Sequence, residues 1–176
     1  MTNNTDNHTT NAPGSNESAS DGTNPRQSPE ELLSALDGFT GTEHYYRYWY
    51  GISHLTDGVK YLADAARCYW LLDAIGSYQP ELAKHADDRL RCMQFWKLVV
   101  NADKTALLTC VADSGEPPVV NQQLDMTDFP LPEIQIWVGC EENRRIALLP
   151  SEYYSAGTSA PLPKGRAFRA PKSTLA

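Results

Sequence analysis

The second half of the chain, from Met93 onward, is a series of short β-forming segments separated by short connections. Five such segments follow one another, at 94–100, 105–111, 119–124, 134–138 and 146–149. Antiparallel strands can be joined by tight turns, whereas parallel strands need a crossover of a dozen or more residues. These connections are too short for repeated crossovers, so this half predicts an antiparallel β-meander of about four to five strands.

The residues before this half provide helices to cover one face of the sheet. Val59 and Leu62 belong to an apolar series with three- and four-residue steps, which places its members on one side of a helix. Asp57 suits the first turn of that helix. A break is predicted at 66–68, and a second helix then continues to about residue 78. The predicted fold class is α+β, with N-terminal helices packed on a C-terminal antiparallel meander.

Both ends of the chain have compositions that cannot support a packed core. Residues 1–27 are rich in Asn, Thr and Ser, and residues 155–176 are rich in Gly, Pro and basic side chains, so both are predicted to be disordered tails. One domain is expected between them, at 28–154. The chain has no apolar stretch of membrane-spanning length and no secretory signal, and its four cysteines are widely spaced. A cytoplasmic protein without a membrane partner is therefore expected.

The charge of the chain limits its partners. It has 22 acidic and 15 basic residues, for a net charge of −7, which argues against broad binding to a phosphate backbone. The segment 160–176 is the exception, because it has four basic residues and no acidic one. Nucleic-acid binding is therefore expected only through this basic tail, and a protein partner is favoured.

A group of polar residues lies in and near the predicted helices and offers candidate chemistry. Asp57 and Lys60 are three residues apart and can meet on one helix face. If they face a cleft together with Asp73 and His44, they could transfer protons or bind a polar ligand, with Glu43 beside them. The simpler interpretation is a helix cap, an ion pair and a helix-end charge. An enzyme or small-ligand binder is therefore the alternative hypothesis.

No metal or cofactor is predicted. His44 and His54 are ten residues apart and lack the HxxxH or HxxE spacing of metal sites. Cys68 and Cys110 would need a nearby base to act as nucleophiles, and their positions are typical of buried, inert thiols. The sequence also lacks a GxSxG, a GxxxxGK[ST] and a GxGxxG motif.

Aromatic residues are concentrated between residues 39 and 70, where nine of them lie. The run at 43–50 is interpreted as an extended strand, although an irregular segment fits equally well. Most of these rings are expected in the core, but Tyr46, Tyr48 and Trp49 are candidates for a protein interface, where such residues are enriched. The favoured hypothesis is a small protein-interaction module rather than an enzyme.

Six short motifs extend this pattern along the chain: FTGTE at 39–43, TDGVKYLA at 56–63, YWLLDAI at 69–75, FWKL at 95–98, TDFPLP at 127–132 and LLPSEY at 148–153. Together they resemble an uncharacterised bacterial family, a domain of unknown function in small proteins of chromosomes, plasmids and phages. The resemblance covers roughly residues 30–154. It implies one domain with flexible ends and an origin in mobile elements, and it supplies no catalytic residue.

Overall fold

A computed structural model describes residues 27–141 and 143–153. The predicted tails, apart from Gln27, lie outside these residues. The described residues form six helices: α1 (Pro29–Leu36), α2 (Asp57–Ala65), α3 (Tyr69–Ser77), α4 (Gln79–Leu82), α5 (Arg89–Cys92) and α6 (Pro150–Tyr153). They also form seven strands: β1 (Tyr46–Arg47), β2 (His54–Leu55), β3 (Met93–Val100), β4 (Ala106–Val111), β5 (Val120–Leu124), β6 (Glu133–Glu141) and β7 (Arg144–Leu148). In the described ranges, no helix has the length and apolarity to cross a membrane.

The strands form one mixed sheet with the order β1-β2-β7-β6-β3-β4-β5. Strands β3, β4 and β5 make an antiparallel meander, as predicted. Strand β6 then pairs with the far side of β3, because the connection from β5 crosses over and buries Phe129 and Leu131 on its way. The predicted count of four to five strands is too low, and the purely antiparallel prediction is wrong, since β2 pairs with β7 in parallel.

The two additional strands come from the N-terminal half and lie outside the predicted meander. Each of them is two residues long, too short to show a period of two. Only Tyr46–Arg47 of the aromatic run at 43–50 is a strand, so the extended interpretation holds for two residues and the irregular one for the others.

The predicted packing of helices on the sheet is found, but the predicted order of N-terminal helices followed by strands is not exact. Strands β1 and β2 precede α2, and α6 follows the last strand. Helix α1 begins with a capping box, in which Ser28 and Glu31 each accept a hydrogen bond from the other's backbone N–H. The break between α2 and α3 falls at Arg67, whose φ is 53°. Buried side chains of both helices and of the sheet make one core, which includes Leu62, Leu72, Ile75, Trp96, Leu98 and Leu108.

The segment 81–91 is ordered and partly buried, although most of its side chains are polar or charged. It contains the end of α4 and the start of α5, and Leu82 and Leu90 are buried in the core. Gln79 at the start of α4 is also buried, where its amide donates a hydrogen bond to Gln94 Oε1 (2.8 Å). Isolated apolar residues among charges give no clear helical period, which is why the sequence does not show this packing.

Candidate functional site

The carboxylate of Asp57 fastens the segment before β1 to the first turn of α2. Its Oδ2 accepts hydrogen bonds from the backbone N–H groups of Glu43 (2.7 Å) and His44 (3.0 Å) and from Thr42 Oγ1 (3.0 Å). Its Oδ1 accepts one from the hydroxyl of Tyr46 (3.1 Å). With both oxygens engaged, Asp57 positions the loop rather than facing a ligand.

These bonds also set the ionisation of Asp57. Burial raises its pKa, but the N–H groups of His44 and Glu43 favour the charged form, and together with the two hydroxyls they hold the pKa below its usual value. Because the pKa of Asp57 is lower in the folded chain than in the unfolded chain, its ionised carboxylate stabilises the fold at pH values above the unfolded-state pKa. This stabilisation is lost as the pH falls through the folded-state pKa.

We expect Asp57→Asn to lower the free energy of unfolding at pH 7 by about 1–3 kcal/mol, because the amide nitrogen cannot accept the bonds that Oδ2 accepts. The variant should also lose less stability than the wild type when the pH falls below about 4. Urea unfolding at several pH values between 7 and 3 measures both effects. Equal acid-induced losses in the two proteins would contradict this role.

A groove of about 720 Å³ lies between this loop and the exposed side of α2. Four of the five predicted polar residues line it, namely Glu43, His44, Asp57 and Lys60. The imidazole of His44 is well exposed, and its Nδ1 lies 3.5 Å from Asp57 Oδ1. Asp73 is not among the lining residues, because it lies on α3. The groove is therefore the place where most of the predicted polar site converges.

A second polar group at the groove was not predicted from the sequence. Lys60 Nζ donates a hydrogen bond to Asp64 and lies 5.7 Å from the centroid of the Tyr46 ring. The hydroxyl of Tyr69 donates to the other oxygen of Asp64 (2.6 Å). The bond to Asp64 raises the pKa of Lys60, so both charges are retained at neutral pH. The i,i+4 spacing of Lys60 and Asp64 was the available signal.

Asp73 has a separate partner. The hydroxyl of Tyr48 donates a hydrogen bond to Asp73 Oδ1 (2.7 Å), and its ring stacks on Tyr69 with the centroids 6.3 Å apart. Burial and the Asp73 carboxylate both raise the pKa of Tyr48. Tyr48, a predicted interface residue, thus attaches the β1–β2 hairpin to α3.

The tip of that hairpin presents two aromatic rings to solvent. Trp49 is 81% exposed and Tyr50 is 41% exposed, and their ring centroids are 5.3 Å apart. The next residue, Gly51, has a φ of 64°, and a Cβ there would overlap the backbone oxygen of Gly76 in α3. Ile52, which follows, is buried. The exposed pair is therefore flanked on both sides by residues that pack on the domain.

The other side of the hairpin carries positive charge. Arg47 and His54 are register partners across β1 and β2. Burial lowers the pKa of His54, and the nearby Arg144 and Arg47 lower it further, so this imidazole is mostly neutral at pH 7. His54 and His44 do not meet in a common site, since His44 faces the groove.

Glu152 in α6 is a half-buried carboxylate to which the sequence assigned no role. It accepts hydrogen bonds from the N–H of Gly58 (2.8 Å), the N–H of Leu149 (2.9 Å) and the hydroxyl of Thr56 (2.5 Å). Burial raises its pKa despite these donors. Glu152 therefore caps α2 from outside the helix and joins the end of the domain to the same turn that holds Asp57.

Other chemistry has little support in the described residues. Nowhere in 27–141 or 143–153 do three His, Cys, Asp or Glu side chains gather in a way that could hold a metal ion. Cys68 and Cys110 are buried and form no disulfide, and burial raises the pKa of Cys110 to about 12. Such a thiol is almost entirely protonated at neutral pH and is a poor nucleophile.

Comparison with protein families gives one match. The model of a family of unknown function (DUF6876) matches residues 30–153, so the chain belongs to this family. The match includes the groove, the hairpin and Glu152. Comparisons with curated proteins and with solved structures gave no match.

Proposed function

We propose that this member of the DUF6876 family is a protein-interaction module that binds its partner through the hairpin tip at Trp49 and Tyr50. The observation that carries the proposal is the 81% exposure of Trp49 beside the half-exposed ring of Tyr50. Tryptophan and tyrosine are among the residues that contribute most to protein interfaces. Two such rings side by side in solvent favour an interface over a packing role.

The fixed position of the tip supports the proposal. The N–H of Tyr48 donates to the carbonyl of Ser53 (2.8 Å), and Ser53 is bonded in turn to the backbone of Arg145 in β7. The Tyr48–Asp73 hydrogen bond holds the other side. A loop already held in its binding conformation loses less entropy when a partner binds.

The chemistry of the partner follows from the charge of the chain. The net charge is −7, and carboxylates of Asp64 and Asp73 lie along the helices beside the hairpin. A cation placed over the face of a tryptophan or tyrosine ring is attracted to it. The expected partner surface is an apolar patch with lysine and arginine side chains on the side that faces Asp64 and Asp73, since Arg47 makes the other side of the hairpin positive.

Site-specific photocrosslinking tests this proposal. A benzophenone side chain at position 49 should crosslink a defined protein in cells that express the chain. The same group at position 33 should not, although Leu33 on α1 is also exposed. Identical products from both positions would mean that the tip has no specific partner.

We expect Trp49→Ala to change the free energy of unfolding by less than about 0.5 kcal/mol, because the ring is almost fully in solvent. Chemical denaturation of the variant and the wild type measures this effect. A larger loss would assign Trp49 to the packing of the domain and would weaken its role as a binding residue.

A second candidate function is the binding of a small polar ligand in the groove. The convergence of Glu43, His44 and Lys60 there favours it, while the saturation of Asp57 leaves that carboxylate a positioning role. A groove that is lined by carboxylates as well as aromatic rings suits ligands such as sugars and amines. Ligand-observed NMR with such compounds tests the idea, and the same signals from Lys60→Ala would exclude the groove.

A further inference from the structure

The far edge of the sheet offers a second surface, remote in the strand order from the hairpin. Strand β5 pairs with β4, and within the described ranges nothing pairs with its other side. An open edge of this kind can hydrogen-bond to an extended chain segment. The side chains of Asn121 and Gln123 on this strand are exposed.

A groove of about 890 Å³ adjoins this edge. Trp70 of α3, Leu124 at the end of β5 and Met126 form its apolar part. Met126 is 77% exposed, and with Leu124 and Trp70 it gives the groove an apolar floor. A bound segment would cover Met126, Leu124 and Trp70, which line this groove.

The charges at this groove indicate what kind of chain segment would bind there. Asp103, Asp125 and Asp128 line it, against one basic residue, Lys104. An excess of carboxylates around an apolar floor is complementary to a segment that combines cations with apolar side chains.

We propose that this groove binds the chain's own segment 160–176, which lies outside the described residues. Four basic residues, no acidic residue and the apolar Leu162 and Phe168 give it the complementary composition. The connection 154–161 is long enough to reach, since eight residues can span about 26 Å. The described chain ends at Tyr153, which packs on Trp137 of β6, and β5 lies three strands from β6, a distance of about 14 Å. The segment then acts as an intramolecular cover of the β5 edge.

Amide hydrogen exchange of the full-length chain tests the proposal. Replacing Lys164, Arg166, Arg169 and Lys172 together with glutamate should speed exchange of the amides at 121–128 by about tenfold, because the covering segment is lost. Exchange at Tyr46–Arg47 in the opposite edge strand should not change. Unchanged exchange at 121–128 would overturn the proposal.

A substitution in the groove tests the same contact without any change to segment 160–176. Met126→Lys places a positive charge against the basic segment and should speed the same amides in the otherwise normal chain. Leu33→Lys, at an exposed leucine of α1, is the matched control and should leave them unchanged. Protection that increases with protein concentration would overturn the intramolecular form and assign the groove to the segment of a second copy.

Discussion

Gly76→Ala is expected to lower the free energy of unfolding by about 3 kcal/mol or more, because the new methyl group has no space. A Cβ at Gly76 would overlap the backbone oxygen of Tyr50 and lie 3.1 Å from the Cδ1 of its ring. A backbone atom cannot turn away as a flexible side chain can. The hairpin would have to leave α3, and the burial of Ile52 and the bond between Tyr48 and Asp73 would be lost with it.

Gly41→Ala is the matched control, since a Cβ there meets nothing within 4 Å. Its free energy of unfolding should stay close to that of the wild type. Gly51→Ala should be as damaging as Gly76→Ala, because it combines a positive φ with an overlap against the Gly76 oxygen. Chemical denaturation of the three variants measures these effects. Equal midpoints for Gly76→Ala and Gly41→Ala would show that the hairpin is not held against α3.

Glu152→Ala is the second change with a large expected effect, a loss of about 3 kcal/mol in the free energy of unfolding. It removes the acceptor for the N–H groups of Gly58 and Leu149 and for the hydroxyl of Thr56. Unpaired buried donors each cost free energy, and the first turn of α2 would lose its cap. Thermal or urea denaturation at pH 7 measures the loss.

Two variants make this result specific. Glu152→Gln keeps one acceptor oxygen and should fall between the wild type and the alanine variant. Glu133→Ala removes an exposed carboxylate that pairs with Lys97 on the sheet, and exposed pairs contribute little. A loss as small for Glu152→Ala as for Glu133→Ala would exclude the capping role.

The parts of the fold that the sequence predicts are those with local signals. The helix pair in 56–78 has a helical apolar period, and β3, β4 and β5 are successive segments joined by short connections. Ser28 and Glu31 are the residue types of a capping box. Family resemblance extends over the same residues. What the sequence does not predict is pairing between distant parts. The two residues of β2 join the main sheet by pairing with β7, which lies some ninety positions later in the chain.

The candidate site divides in the same way. His44 lies beside Asp57 and Lys60 because the β1–β2 hairpin turns the chain back and pairs Tyr46 with Leu55, just before α2. Asp73 does not join them, since it lies on α3 and binds Tyr48. The role of Glu152 was hidden because its partners are about a hundred positions away.

The most direct measurement of the central claim is the affinity of the crosslinked partner for purified variants of the chain. Trp49→Ala and Tyr50→Ala should each weaken binding by tenfold or more, which corresponds to at least about 1.4 kcal/mol at an interface centre. Leu33→Ala and Met126→Ala should bind like the wild type. Wild-type affinity in the Trp49→Ala variant would contradict the claim that the hairpin tip is the binding surface.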